Sequence, residues 1–288
     1  MNRVLNKTVA ITGAARGLGR SHAVRLAEEG ADIIALDVCE DSSTARYAGA
    51  TRTDLDETAT LVEKAGRRVV TRQVDVRDRA ALQQAFEEAV AELGGLDVVV
   101  ANAGISPISP DAPVTAFTEA IDVNLVGTVN TVHAALPHLG DGASIVLTGS
   151  VAGLMPRYDG AAGVGHGAAG YAFSKHMIAE YGERLAVRLA PSGMRVNVVH
   201  PTNAPTDLLK NPAAYRTFRP DLENPTADDV EQVFQRMHGM PIAYLDTSDV
   251  SHAVVFLASD ESRYITGAQL KIDAGLVGKL EAGFNYLA

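Results

Sequence analysis

A single cysteine, Cys39, stands in 288 residues. One thiol makes no internal disulfide and no cysteine zinc cluster. Long apolar runs are missing too, since none approaches the roughly 18 residues of a membrane-spanning helix. The N-terminal MNRVLNKTVAITG lacks the apolar stretch and small-residue cleavage site of a secretory signal. Positive charge is in deficit: 25 Lys and Arg against 35 Asp and Glu leave a net of −10. That balance offers no footprint for nucleic acid or an anionic membrane. Eight histidines form no HExxH and no paired carboxylate spacing, so no metal site is assigned, and the GxSxG elbow of a hydrolase is absent. There is no internal repeat, low-complexity tract or linker-like shift in composition. A cytoplasmic globular protein is the expectation, and 47% hydrophobic residues suffice for a large core.

What is present is an alternation. Short β-rich apolar runs at Thr8 to Thr12, Asp32 to Leu36, Val69 to Val74, Asp97 to Ala101, Ser144 to Thr148, Met194 to Val199 and Gln269 to Ile272 read as strands. Between them, helical patterns run over Gly17 to Glu29, Asp54 to Ala65, from the cap Asp78 to Leu93, around Asp122 to Leu139, Tyr171 to Leu189 and Asp249 to Ala258. Continuous β-branched runs such as DVVVA suit a sheet covered on both faces. The spacing predicts an α/β fold of one domain, a doubly wound parallel sheet with helices on both faces. The surplus over about 250 residues falls in three stretches: an insertion near 40–53, a Gly/Ala-rich loop near 153–170, and a lobe near 203–245.

Where the first strand yields to the first helix stands Thr12-Gly13-Ala14-Ala15-Arg16-Gly17-Leu18-Gly19. Glycines permit a tight turn and close backbone approach, and the helix N-terminus offers free N–H groups to a pyrophosphate. Eighteen residues beyond Gly19, at the end of the second strand, Asp37 can accept hydrogen bonds from both hydroxyls of an adenine ribose. Arg16 argues for the 2′-phosphate of NADP, but Asp37 sits on the ribose itself. NAD is the expected cofactor.

The TGxxxGxG spacing resembles that of the short-chain dehydrogenase/reductase family, and the likeness covers nearly the whole chain. Asp75-Val76 matches the family position that meets the adenine, and Asn102-Ala103-Gly104 its NAG motif beside the ribose. Pro201-Thr202-Asn203-Ala204-Pro205-Thr206 falls where the family has PGxxxT near the nicotinamide, with Thr202 replacing the usual glycine. Thr206 keeps the hydroxyl expected to bind the carboxamide or a phosphate.

Tyr171 and Lys175 form a YxxxK pair on one helical face. A phenol titrates near pH 10, and a neighbouring ammonium is expected to lower it by favouring the phenolate. Ser150, at the end of the fifth strand, offers a hydroxyl to hold a substrate oxygen while Tyr171 moves its proton. Asn124 matches the fourth catalytic member, which in the family supports the lysine through a water relay. The Ser150–Tyr171 gap of 21 residues exceeds the family's usual spacing, and the excess holds Arg157, Tyr158 and His166. Tyr158 is a rival base without a lysine four residues on, where Ala162 stands. His166 and His200 are expected to pack or to approach the substrate. Cys39 is expected to be a small packing residue.

Gly13 to Cys39 is also similar to a narrower group, the mycofactocin-associated or carveol dehydrogenase-like members. That resemblance implies NAD held tightly, the 40–53 insertion folded over its adenosine end, and electrons passed to an external acceptor of mycofactocin type. It implies a homotetramer built through helices near 122–139 and 171–189 and the last strand. Met155, Tyr158, Leu209, Phe218, Met237 and Met240 suggest an apolar pocket, hence a small hydrophobic secondary alcohol or its ketone, terpenoids such as carveol among them. The alternatives are a 3-oxoacyl thioester reductase and a non-catalytic NAD-binding regulator on the same fold.

Overall fold

The computed structural model describes residues 2–155 and 165–283. Among them seven strands, β1 (Thr8–Thr12), β2 (Asp32–Asp37), β3 (Val69–Gln73), β4 (Leu96–Ala101), β5 (Leu139–Thr148), β6 (Arg195–Pro201) and β7 (Gln269–Ile272), form one parallel sheet in the order 3-2-1-4-5-6-7. The order reverses between β1 and β4, where Val9 pairs with Val98 and Ile11 with Val100. That reversal opens a crevice at the carboxyl ends of both strands. Two apolar layers flank the sheet. α1 (Gly17–Glu28), α2 (Arg52–Lys64) and α9 (Thr247–Ala258) bury Leu26, Leu55 and Val254 on one face, and α3 (Arg79–Leu93), α5 (Gly127–Ala135) and α6 (Gly165–Leu189) bury Phe86, Val132 and Ile178 on the other.

Local chemistry sets the helix ends. Thr51 and Asp54 close a capping box at the start of α2, and the Asp78 carboxylate accepts from the backbone N–H groups of Ala80 and Ala81 at α3. Two expectations change. The helix expected around 122–139 begins earlier, as α4 (Val114–Ala120), passes through a π-helical turn at Ile121–Val126 and continues as α5. One extra residue per turn there swings Asn124 fully inward, which regular 3.6-residue periodicity does not anticipate. Second, α6 starts six residues before Tyr171, at Gly165, so the far end of the expected 153–170 loop is helix. Close backbone approach permits it: a Cβ on Gly167 would meet the Pro107 carbonyl oxygen at 1.9 Å.

The lobe is built by α7 (Pro212–Phe218) and α8 (Ala227–Met237), backed by α10 (Leu276–Glu281) after β7. Phe234 sits between Phe218 and Tyr244 in edge-to-face contacts at 4.8 and 5.4 Å. This small third core rides on the sheet through Val151 and Leu276, so the lobe is part of the same domain.

Candidate active site

The crevice is one continuous cavity of about 930 Å³, running from Asp37 and Asp75 past the glycine loop to Ser150, Tyr171 and the lobe. Its floor is tied at the reversal point. Thr12 Oγ1 accepts from the backbone N–H groups of Asn102 and Ala103, and Asn102 Nδ2 donates to the Thr12 carbonyl. Glycine is required on this floor: Gly13 has φ +68° and a Cβ there would lie 2.8 Å from Ala103 Cα, while one on Gly19 would lie 1.9 Å from the Gly13 carbonyl oxygen. The N-cap of α1, Arg16, makes no side-chain cap, so the first N–H groups of the helix face the cavity free of one. Asp37 is held by the backbone N–H groups of Ala15 and Cys39, at 2.9 and 3.0 Å, with its carboxylate on the cavity wall. Cys39 takes φ +52° to make that contact and is half-buried, and burial pushes its thiol up to about 11.

Gly17, Leu18, Val76, Gly104, Pro201, Asn203, Ala204 and Thr206 also line the cavity. Asp75 is partly committed elsewhere. Burial acts to raise its carboxyl, but Arg77, bonded to both oxygens, holds it below the ordinary value. Asn203 Nδ2 and Ser106 Oγ are buried on this wall with no hydrogen-bond partner among the described residues. Free donors, a glycine cradle and a ribose-side carboxylate suit a dinucleotide.

Arg16 is placed differently from its NADP reading. Its guanidinium donates to the Ala48 carbonyl, pairs with Asp207 at 2.9 Å and lies 5.9 Å from the Tyr47 ring centre. Tyr47 in turn accepts from the Ser106 backbone N–H at 3.0 Å. The stretch before α2 is therefore stitched across the cavity to the lobe and to the loop after β4. Glu119 of α4 fastens its far side through Ser42, Ser43 and Thr44. Tyr47 was not among the expected site residues, because a loop tyrosine carries no local signal of what it meets across a groove.

At the other end Ser150, Tyr171, Lys175 and Asn124 come together. Lys175 Nζ donates to the Thr148 carbonyl at 2.7 Å and lies 5.8 Å from the Tyr171 ring centre. Asn124 bonds the backbone of Ile105 at both N–H and carbonyl and donates to Ser174 Oγ. A Cβ on Gly104 would touch both Asn124 Oδ1 and Lys175 Nζ, so the three positions abut. The electrostatics depart from the expectation. Burial pushes the Tyr171 phenol up, with the Ser150 hydroxyl opposing, and burial pushes the Lys175 ammonium down to about 8. Among the described residues no carboxylate partner offsets either effect.

Of the expected pocket residues, Met155, Leu209, Phe218 and Met237 line the cavity beside Val151 and Leu276. Met240 does not; it is 59% exposed beyond the end of α8. Tyr158, Arg157 and Ala162 lie outside the described residues. His166 is exposed, and His200 is buried behind Ser150, its Nδ1 3.1 Å from the Ser150 carbonyl oxygen and its Nε2 2.6 Å from Gln269. It faces the strand ends rather than the cleft.

The family described as enoyl-(acyl carrier protein) reductase matches residues 13–277. With the glycine loop, the reversal crevice and the Ser–Tyr–Lys cluster in place, the chain belongs to the short-chain dehydrogenase/reductase family. Its likeness within that family is to the carveol dehydrogenase-like group. It is 44% identical over 281 residues to a (−)-trans-carveol dehydrogenase of Rhodococcus erythropolis, covering 96% of this chain and 99% of that one. A putative short-chain type dehydrogenase/reductase of Mycolicibacterium smegmatis is 49% identical over 280 residues, with 95% and 98% covered. The crystal structure of a carveol dehydrogenase from Mycobacterium avium in complex with NAD superposes with a TM-score of 0.90 at 47% identity, covering 97% of this chain and all of that one.

Proposed function

We propose that this chain is an NAD-dependent oxidoreductase that interconverts a small hydrophobic secondary alcohol, of the compact cyclic kind to which carveol belongs, and its ketone. The observation that carries the reading is the meeting of Ser150, Tyr171 and Lys175 with an apolar wall of Val151, Met155, Phe218 and Met237 in one cavity. NAD, when bound, supplies the acceptor for the carbinol hydride. The chain's residues handle the proton. Ser150 Oγ holds the substrate oxygen, and the Tyr171 phenolate takes the hydroxyl proton as the C–H and O–H bonds break and the carbonyl forms. Lys175 keeps a positive charge beside that oxygen, and Asn124 fixes the loop from Gly104 to Ile105 against it. Asp37 and the free N-terminus of α1 would hold the adenosine ribose and the pyrophosphate. A carboxylate at the ribose disfavours NADP and with it the thioester-reductase alternative.

Retention of NAD is part of the proposal, supported by the Arg16–Tyr47–Asp207 stitching across the cavity. NAD held by these contacts would supply its electrons in place to an external acceptor of mycofactocin type. Assembly into a homotetramer is supported by apolar side chains left exposed near or on the expected helices, Val126, Phe173 and Val187. Among the described residues no helix is long and apolar enough to cross a membrane. A panel of cyclic and linear secondary alcohols, assayed with NAD⁺ and in parallel with an artificial electron acceptor, tests the reading. Turnover of cyclic alcohols in either arm is the expected result; acyl thioester reduction with NADPH and no alcohol turnover would replace it.

A further inference from the structure

Thr202 stands where the family has glycine, and its hydroxyl is not idle. It lies 2.8 Å from Nε2 of His238, the residue that ends α8, and both side chains are buried, at 7% and 2% exposure. The other ring nitrogen of His238 faces the Ile242 carbonyl oxygen at 2.7 Å. A carbonyl only accepts, so in the neutral ring Nδ1 carries the hydrogen and Nε2 accepts from Thr202. The bond thus has a fixed sense, from the nicotinamide-side loop to the lobe.

Its two ends are anchored separately. Thr202 N–H donates to the Ile272 carbonyl, which extends the pairing of β6 with β7. Around His238, Lys279 of α10 donates to the carbonyls of Arg236 and His238, and the N–H groups of Gly239 and Met240 both donate to the Ala274 carbonyl. Between these anchors the wall of the cavity is apolar, with Val233 and Met237 of α8 lining it. Apolar packing carries little directional information, whereas a buried hydrogen bond fixes a distance.

We propose that Thr202 and His238 are positioning residues that peg the substrate wall on α8 to the loop at 201–206, and so set the width of the pocket for the alcohol. This rests on the alcohol-binding reading of the cavity. Without the peg, α8 keeps its ties to the segment after β7. The lobe then meets the 201–206 loop through the Leu245 N–H to Asn203 carbonyl bond and apolar contacts, so the wall can shift relative to that loop. The alcohol then binds more weakly, while the proton-handling cluster on the opposite side, anchored through Thr148 and Ile105, keeps its geometry.

The test compares Thr202→Val, which keeps the shape and removes the hydroxyl, with Thr202→Ser, which keeps the hydroxyl. Loss of one buried hydrogen bond predicts a KM for a cyclic alcohol raised about tenfold in Thr202→Val, with kcat changed less than twofold. Thr202→Ser restores KM to near the wild-type value. His238→Leu should raise KM by a similar factor, and the double variant Thr202→Val/His238→Leu should be no worse than either single one. Equal KM in wild type and Thr202→Val, or additive effects in the double variant, would overturn the peg. A second readout does not depend on turnover: amide hydrogen exchange over residues 227–240 should quicken in Thr202→Val and not in Thr202→Ser. Unchanged exchange in Thr202→Val overturns the peg even if no alcohol is turned over, and absence of alcohol turnover by the wild type counts against the substrate reading alone.

Discussion

Tyr171 is a phenol in a dry setting, and its neighbours do little to make it an acid. Burial pushes it up, the Ser150 hydroxyl only partly opposes this, and Lys175 beside it is itself pushed down to about 8 by burial. The sign of the pH dependence follows. Alcohol oxidation uses the deprotonated phenol, which burial holds above its ordinary value, so kcat/KM for the alcohol should climb as pH rises, while ketone reduction should fall over the same range. Steady-state profiles in both directions check this; an oxidation rate flat between pH 6 and 9 would contradict it. At this scale the YxxxK spacing made Tyr171 and Lys175 legible in the sequence. The direction of their electrostatics was not, because spacing reports which groups meet and not how much water is left around them.

The π-helical turn and the stretch over residues 40–51 show why elements carry more than their residue patterns. A regular helical reading of 122–139 finds Asn124 but not the widened turn that buries it against Ile105. The strands, by contrast, were readable to within two residues at each end, since β-branched runs buried on both sides leave few alternatives; the exception is β5, which starts at Leu139, five residues before the expected Ser144. The stretch before α2 was legible only as extra length. It is engaged across the groove, chiefly by Arg16. If those contacts hold the cofactor, Arg16→Ala should release NAD about tenfold faster than wild type, a barrier change of roughly 1.4 kcal/mol. The experiment is to purify both proteins without added nucleotide, denature samples over time of dialysis and quantify NAD in the supernatant. Wild type and variant losing NAD at one rate would contradict the latch, and a wild type that emerges without NAD would contradict tight retention itself.

For the whole molecule, the sheet order places the glycine loop, the Asn102 segment and the ends of β5 and β6 on one edge, as parallel α/β connectivity dictates. The chain then adds a lobe that packs with Val151 and Leu276 and supplies one apolar wall of the cavity. Fold and cofactor end were readable because they rest on short-range patterns, a strand, a glycine turn, a capped helix. The pocket was less so. Met240 was expected in it and points away, while Leu276 belongs to it from a helix that follows the last strand. Lobe contacts join residues far apart in the chain, and no local period encodes them.

In the proposed reaction Tyr171 moves the proton while hydride leaves a secondary alcohol. It is tested most directly by mixing NAD-loaded wild type and Tyr171→Phe with an excess of carveol or cyclohexanol and following reduced nicotinamide absorbance in a single turnover. Wild type should reduce its cofactor, and Tyr171→Phe should do so at least a hundredfold more slowly while carrying the same amount of NAD. Reduction by Tyr171→Phe at the wild-type rate would contradict the assignment.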